Sequence, residues 1–164
     1  MEFTKKSGTY RLYNQQFFPI SIASAWTFFS NPSNLQVITP KEMDFKITSI
    51  DNPKAYAGQI ITYSIKLNKI IRMNWVTEIT HLKEEEYFVD EQRFGPYKMW
   101  HHVHKFESVE GGVLMTDVIH FKLPIPLLSS IAYKLFVKKQ LTHIFSHRTS
   151  LLDEIFKQTK ANEK

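Results

Sequence analysis

Between about residues 44 and 123 the chain alternates hydrophobic and polar positions with a period of two. From about residue 127 the period lengthens to three and four. Ahead of both regions, Tyr10 to Phe18, with Leu12 and aromatic flanks, predicts a strand that Pro19 stops. Ser21 is placed to N-cap a helix whose apolar face is Ile22, Ala25, Trp26 and Phe29. Asn31-Pro32 ends that helix, and Asn34 to Ile38 predicts a second short one, closed by Thr39-Pro40. Strands are then predicted over Asp44 to Ile50, Gly58 to Leu67, Ile71 to Thr80, Tyr87 to Phe94, Tyr97 to Glu107 and Val113 to Leu123. Turn signals at Asp51-Asn52-Pro53, Gly95-Pro96 and Glu110-Gly111-Gly112 separate some of them. Short connections make neighbouring strands antiparallel hairpins.

At the C-terminal end Leu128, Ile131, Leu135, Leu141, Ile144, Phe145, Leu151, Leu152, Ile155 and Phe156 recur at helical spacing, with no Gly or Pro after Pro126. This predicts an amphipathic helix of about 30 residues, roughly 45 Å long. Its stripe needs a partner, and the sheet is the available one. The expected fold class is α+β: a curved antiparallel sheet of about seven strands, in the order β-α-α-β6-α, wrapped around a long C-terminal helix.

Composition bounds this picture. A chain of 164 residues suits one domain spanning 1–164, with its core over about 9–156. The absence of cysteine excludes a disulfide framework, thiolate metal sites and a cysteine nucleophile. The formal charge of +5 comes mostly from Lys scattered along the chain. The densest patch, Lys134, Lys138 and Lys139, reads as a solvated helix face rather than a nucleic-acid surface. Residues before Thr9 lack the apolar core of a signal peptide, and no apolar run reaches the roughly 18 residues of a membrane span. The expectation is a soluble cytoplasmic protein, monomer or weak dimer, with no cofactor, nucleic acid or integral membrane association. The 23 aromatic residues pose the remaining question, whether they fill a core or line a cavity.

Two stretches of chain carry a family resemblance. Ile22 to Pro40 (IASAWTFFSNPSNLQVITP) and Asp90 to Phe106 (DEQRFGPYKMWHHVHKF), followed by Gly112 to Pro124 and the long helix, resemble segments of the START / pollen-allergen / polyketide-cyclase (SRPBCC) superfamily. The second stretch resembles the "D-x-Q-x-x-GP-[FY]-x-x-W-x-H-x-H-x-F" segment of an uncharacterised bacterial ligand-binding branch. The similarity runs from about Thr9 to Phe156. It implies the helix-grip fold and an apolar cavity between sheet and long helix. The superfamily holds lipid and sterol carriers, hormone receptors, cyclases, dehydratases and chaperone cofactors, so the resemblance assigns no catalytic residue.

The residues themselves point to chemistry in one place. Strand alternation puts Trp100, His102, His104 and Phe106 on one face, and the two aromatics turn that face inward. Half-buried neutral imidazoles can orient a polar ligand head, or act as general acid and base. The plainer reading is that they bond neighbouring carboxylates or backbone. Asp90 and Gln92, two apart on the preceding strand beside Phe88 and Phe94, are placed to meet the histidine face. Asp117 on the last strand is a second partner, with its face undetermined by the pattern. A His–Asp pair would fix a tautomer and serve an acid/base enzyme, or would be an ordinary cross-strand polar pair. His-x-His also starts a metal site, with Asp90, Asp117 or His120 as third ligand, but no spacing fixes one and none is expected.

Phe88, Phe94, Trp100 and Phe106, with Tyr63, Met73, Trp75 and Tyr97, are the cavity-wall candidates from the sheet. Phe136, Gln140, His143, and His147 or Arg148 are the candidates from the helix. Arg148 falls in register with the apolar stripe, so its charge needs a carboxylate or a ligand acid. No phosphate loop or nucleophile elbow is present. The expected function is binding of a small hydrophobic ligand, lipid, isoprenoid or aromatic polyketide-like, with its polar end near His102, His104 and Gln92. The alternative is a metal-free cyclase or dehydratase working through His102 or His104 with Asp90 or Asp117.

Overall fold

The computed structural model describes residues 1–67, 71–124 and 133–162. Eight strands form a single antiparallel sheet. They are β1 (Glu2–Lys6), β2 (Thr9–Phe18), β3 (Lys46–Ser49), β4 (Ile60–Lys66), β5 (Arg72–Lys83), β6 (Tyr87–Phe94), β7 (Met99–Val109) and β8 (Gly112–Lys122). Their order across the sheet is β1-β2-β8-β7-β6-β5-β4-β3. Helices α1 (Ile22–Phe29) and α2 (Ser33–Val37) and a short 3₁₀ turn (Lys41–Met43) carry the chain from β2 to the far edge of the sheet. A π-helical turn (Tyr133–Val137) leads into α3 (Lys138–Asn162). This is a helix-grip α+β fold.

The extra strand relative to expectation is β1. Its charged, mostly exposed sequence EFTKK carries little hydrophobic pattern, and backbone pairing with β2 defines it. Ser21 does cap α1, accepting from the Ser24 N–H. The start of the long helix predicted at Leu127 to Ile131 lies outside the described residues, as does the Lys134 side chain. Lys138 of the basic patch lies over the Phe3 ring.

The inward faces follow the period of two. From β2 come Tyr10, Leu12, Asn14 and Phe18. From β7 come Trp100, His102, His104 and Phe106, and from β8 come Val113, Met115, Asp117, Ile119 and Phe121. Together with α3 these form two apolar clusters. One gathers Phe18, Trp26, Phe29, Phe88, Phe106, Met115, Leu152 and Phe156. The other gathers Tyr10, Leu12, Trp100, Ile119, Phe121, Leu141 and Phe145. Between them each element contributes a polar residue: Asn14, Asp117, His102 and His104, Asp90, and Arg148 from α3. A polar layer thus crosses the core from strand to strand to helix.

Packing is close at the β7–β8 turn. A Cβ on Gly112 would lie 2.1 Å from the Phe18 carbonyl oxygen, so backbone rather than a yielding side chain blocks it. Gly112→Ala is expected to destabilise the fold by about 1–3 kcal/mol through overpacking. Urea denaturation checks this, and an unchanged midpoint would contradict the close approach.

Candidate functional site

The polar layer is built by register. His104 on β7 stands directly opposite Asp117 on β8, and His102 stands opposite Asp90 on β6. Each histidine nevertheless makes its in-line hydrogen bond to the diagonal carboxylate. His102 Nε2 donates to Asp117 Oδ1 at 3.0 Å, and His104 Nε2 donates to Asp90 Oδ2 at 2.9 Å. The remaining ring nitrogens face the opposite carboxylates. His102 Nδ1 is 3.3 Å from Asp90 Oδ2, and His104 Nδ1 is 3.0 Å from Asp117 Oδ1. The His104 Nδ1 contact is out of line and leaves that atom without a hydrogen bond. The two imidazoles, centroids 3.7 Å apart, therefore lie between the same two carboxylates. Phe88 stacks on His104 at 4.2 Å, and Trp100 meets His102 edge-on.

The electrostatics separate the two histidines. Burial and the neighbouring His104 charge hold His102 below its ordinary range, against the pull of both carboxylates. Burial also opposes the charge on His104, but the close Asp117 carboxylate and the hydrogen-bonded Asp90 more than reverse it and raise its pKa. Both carboxylates lie within about 3 Å of the His104 ring, so short contacts and charge agree that His104 is the favoured holder of the proton. Burial pushes Asp117 up, yet Arg148 and both histidines hold it well below the usual carboxylate range. Asp90 is likewise lowered despite burial, by His102, His104 and Arg148.

Asp90, His102, His104 and Arg148 of this layer line a cavity of about 210 Å³ between sheet and α3. Of the residues expected on its wall, Tyr63, Trp75, Phe88, Asp90, Tyr97, Trp100, His102, His104, Gln140 and Arg148 line it. Asp117 sits behind the imidazoles as their acceptor. Six expected positions lie elsewhere, each for a physical reason. Gln92 turns back on its own hairpin, donating to the Tyr97 carbonyl at 2.6 Å and accepting from the Tyr97 N–H, under Gly95 where a Cβ would strike it. Phe94 is 60% exposed, because β6 leaves β7 after Glu91 and a register shift against β5 turns its end outward. Phe106 is buried among Trp26, Phe29 and Phe88 as core. Phe136, in the π turn, is 69% exposed. His143 is exposed and pairs with Glu42. Met73 is half-buried on β5, outside the cavity lining.

Sequence reasoning missed the wall that α1 and α2 supply, including Phe28, Phe29, Leu35 and Ile38. Phe29 reads as packing because its spacing puts it on the apolar face of α1. It does pack, and its far side also meets the cavity.

Asp90, His102 and His104 present ligating atoms within 4.8 Å of one another, a spacing suited to a metal ion. An ion there would displace the His104–Asp90 hydrogen bond and sit in the field of Arg148, so the chain's own bonds compete for each of these atoms. His120 is on the other face, its ring beside His101, and takes no part.

No protein-family model and no curated protein sequence matches the chain. Solved structures do resemble it in shape. The two-domain ARO/CYC StfQ from the steffimycin biosynthetic pathway superposes with a TM-score of 0.70 at 9% identity, over 93% of this chain and 52% of that one. TTHA0849 from Thermus thermophilus gives 0.68 at 12% identity, over 88% and 94%. Ara h 8.0201 gives 0.57 at 16%, over 88% and 98%. These likenesses are to the helix-grip architecture described above. At such identities the similarity concerns architecture alone. No helix among the described residues is long and apolar enough to cross a membrane.

The opposed histidine shifts give a direct expectation. His104 stabilises the fold below about pH 6.5, and that contribution fades as pH rises through its raised folded pKa. His102 acts oppositely, costing stability as pH falls below about the same value. The two carboxylates stabilise above about pH 4 and lose that contribution as pH falls through their depressed values. In an NMR titration of the imidazoles, His104 is expected to titrate above His102. Asp117→Asn should move His104 downward by weakening the charge beside it. A His104 titration unmoved by that substitution would contradict the assignment.

Proposed function

We propose that this chain is one ligand-binding domain that holds a small hydrophobic molecule between sheet and α3. The observation that carries the reading is the cavity itself: aromatic and aliphatic over most of its wall, with the charged and titratable side chains of Asp90, His102, His104 and Arg148 set into it. That division suits an apolar body with a polar head. The volume of about 210 Å³ falls below the roughly 300–1,000 Å³ common for drug-sized ligands, which favours a compact molecule over a long lipid. Similarity in shape to Ara h 8.0201 and to the ARO/CYC StfQ is compatible with this reading. The motif around Asp90 to Phe106 supports placing the chain in the bacterial ligand-binding branch.

One observation favours a second reading, a cyclase- or dehydratase-like enzyme. Two imidazoles whose pKa values are pushed apart, each hydrogen-bonded to a carboxylate, stand at the cavity wall. Such a pair supplies a proton acceptor in His102 beside a proton donor in His104. On that reading Asp117 and Asp90 are positioning residues.

Native mass spectrometry of freshly purified protein, followed by organic extraction, tests the binding reading. A reproducible co-purifying apolar molecule is expected. Its absence, together with no thermal shift from a hydrophobic compound library, would sink the reading. Leu141→Trp, which fills the cavity from α3, is expected to weaken binding of an apolar fluorescent probe by about tenfold, roughly 1.4 kcal/mol. Should His102→Ala and His104→Ala fold normally and retain full turnover of any substrate found, the enzyme reading fails.

A further inference from the structure

Arg148 is the charged group that neither the histidine–carboxylate bonds nor the packing accounts for. It lies on α3 between the two apolar clusters and is only 9% exposed. Phe29 and Phe145 flank its guanidinium, with ring centroids 5.7 and 5.8 Å away. Its Nε is buried without a hydrogen-bond partner, and no ion pair to Arg148 is found among the described residues. Asp90 and Asp117 feel its charge, but their in-line bonds come from the histidines. A guanidinium this buried is costly unless hydrogen-bonded, and Arg148 faces the cavity.

We propose that the ligand is an amphipathic monocarboxylic acid, its carboxylate seated on Arg148 and its apolar body along Trp75, Ile61, Ile79 and Leu141. The proposal rests on the ligand-binding reading above and names the chemistry of the head. A planar guanidinium offers paired donors that match a carboxylate, and such charge-assisted bonds are about twice as strong as neutral ones. An alcohol leaves most of those donors unpaired. A phosphate monoester would bring up to two negative charges beside Asp90 and Asp117, and that repulsion selects a monoanion. The Phe29 and Phe145 rings near the guanidinium limit the approach of water, which strengthens a charge-assisted bond made there.

Isothermal titration of the full chain with two matched pairs tests this: decanoate against decanol, and 2-naphthoate against 2-naphthol. In at least one pair the acid is expected to bind about tenfold or more tightly than its alcohol. Arg148→Met should erase that difference while leaving the alcohol's affinity within about twofold. Should that variant fail to fold, the wild-type acid-to-alcohol ratio decides alone. Equal affinity within both pairs would overturn the carboxylate assignment and leave the cavity reading standing. No binding by any of the four would overturn both. Acid binding that appears only with added Zn²⁺ would also overturn the assignment, since the head would then sit on a metal held by Asp90, His102 and His104.

Discussion

Ionic and polar side chains buried across the middle of an apolar core are the constraint around which this molecule is arranged. Removing carboxylates, an imidazolium and a guanidinium from water costs several kcal/mol for each ion. For the histidines and carboxylates the fold meets that cost by placing opposite charges on adjacent strands, where cross-strand geometry brings them together at about 3 Å, whereas Arg148 on α3 takes no such partner among the described residues. Asp90, His104, Asp117 and Arg148 balance in sign when His102 is neutral. The depressed pKa of His102 follows from that balance, since a second imidazolium would sit against the first. Stability and site chemistry are therefore the same arrangement seen twice.

The two apolar clusters depend on this layer for their separation. Each cluster is conventional: interdigitated aromatic and aliphatic side chains from sheet and helix. What differs is that β2, β6, β7, β8 and α3 each set a polar residue at the boundary between them, while Trp75 of β5 touches both clusters. The cavity opens against that boundary, where His102, His104, Asp90 and Arg148 meet the aromatic wall. Ligand sites commonly place a few convergent polar groups in an otherwise apolar cleft. Here those groups are fixed by strands and a long helix rather than by loops, so their geometry is held by the same backbone bonds that hold the sheet.

Much of this was legible in the sequence, and the reasons for the exceptions are local. Period-two alternation located β4 to β8 and put His102 and His104 on the inward face, because that alternation has no competing reading in an antiparallel sheet. Asp90 and Asp117 were named as partners, but the diagonal bonding was not, since it depends on register and side-chain reach. Strand β1 escaped because its sequence has no apolar face to detect. Gln92 and Phe94 were misplaced by the same assumption, that β6 keeps alternating to its last residue. Instead the strand leaves its neighbour at Glu91, and Gln92 serves the Gly95-Pro96 turn. Phe136 and His143 followed helical spacing, yet the π turn and the exposed flank of α3 put them outside.

Hydrophobic alternation alone forbids a one-residue slip between neighbouring strands, because every side chain would change face. It does not forbid a slip of two, which keeps apolar residues inward. The polar layer supplies what alternation lacks. Shifting β8 by two residues against β7 would set Asp117 opposite Phe106 in one direction, or His104 opposite Met115 in the other. The first takes Asp117 from its place opposite His104, and the second moves it opposite His102 and leaves His104 with Asp90 alone, so either error breaks the shared cradle of two imidazoles between two carboxylates. The buried ions thus act as an alignment key, selecting one pairing of the strands from a series that the greasy pattern by itself would accept.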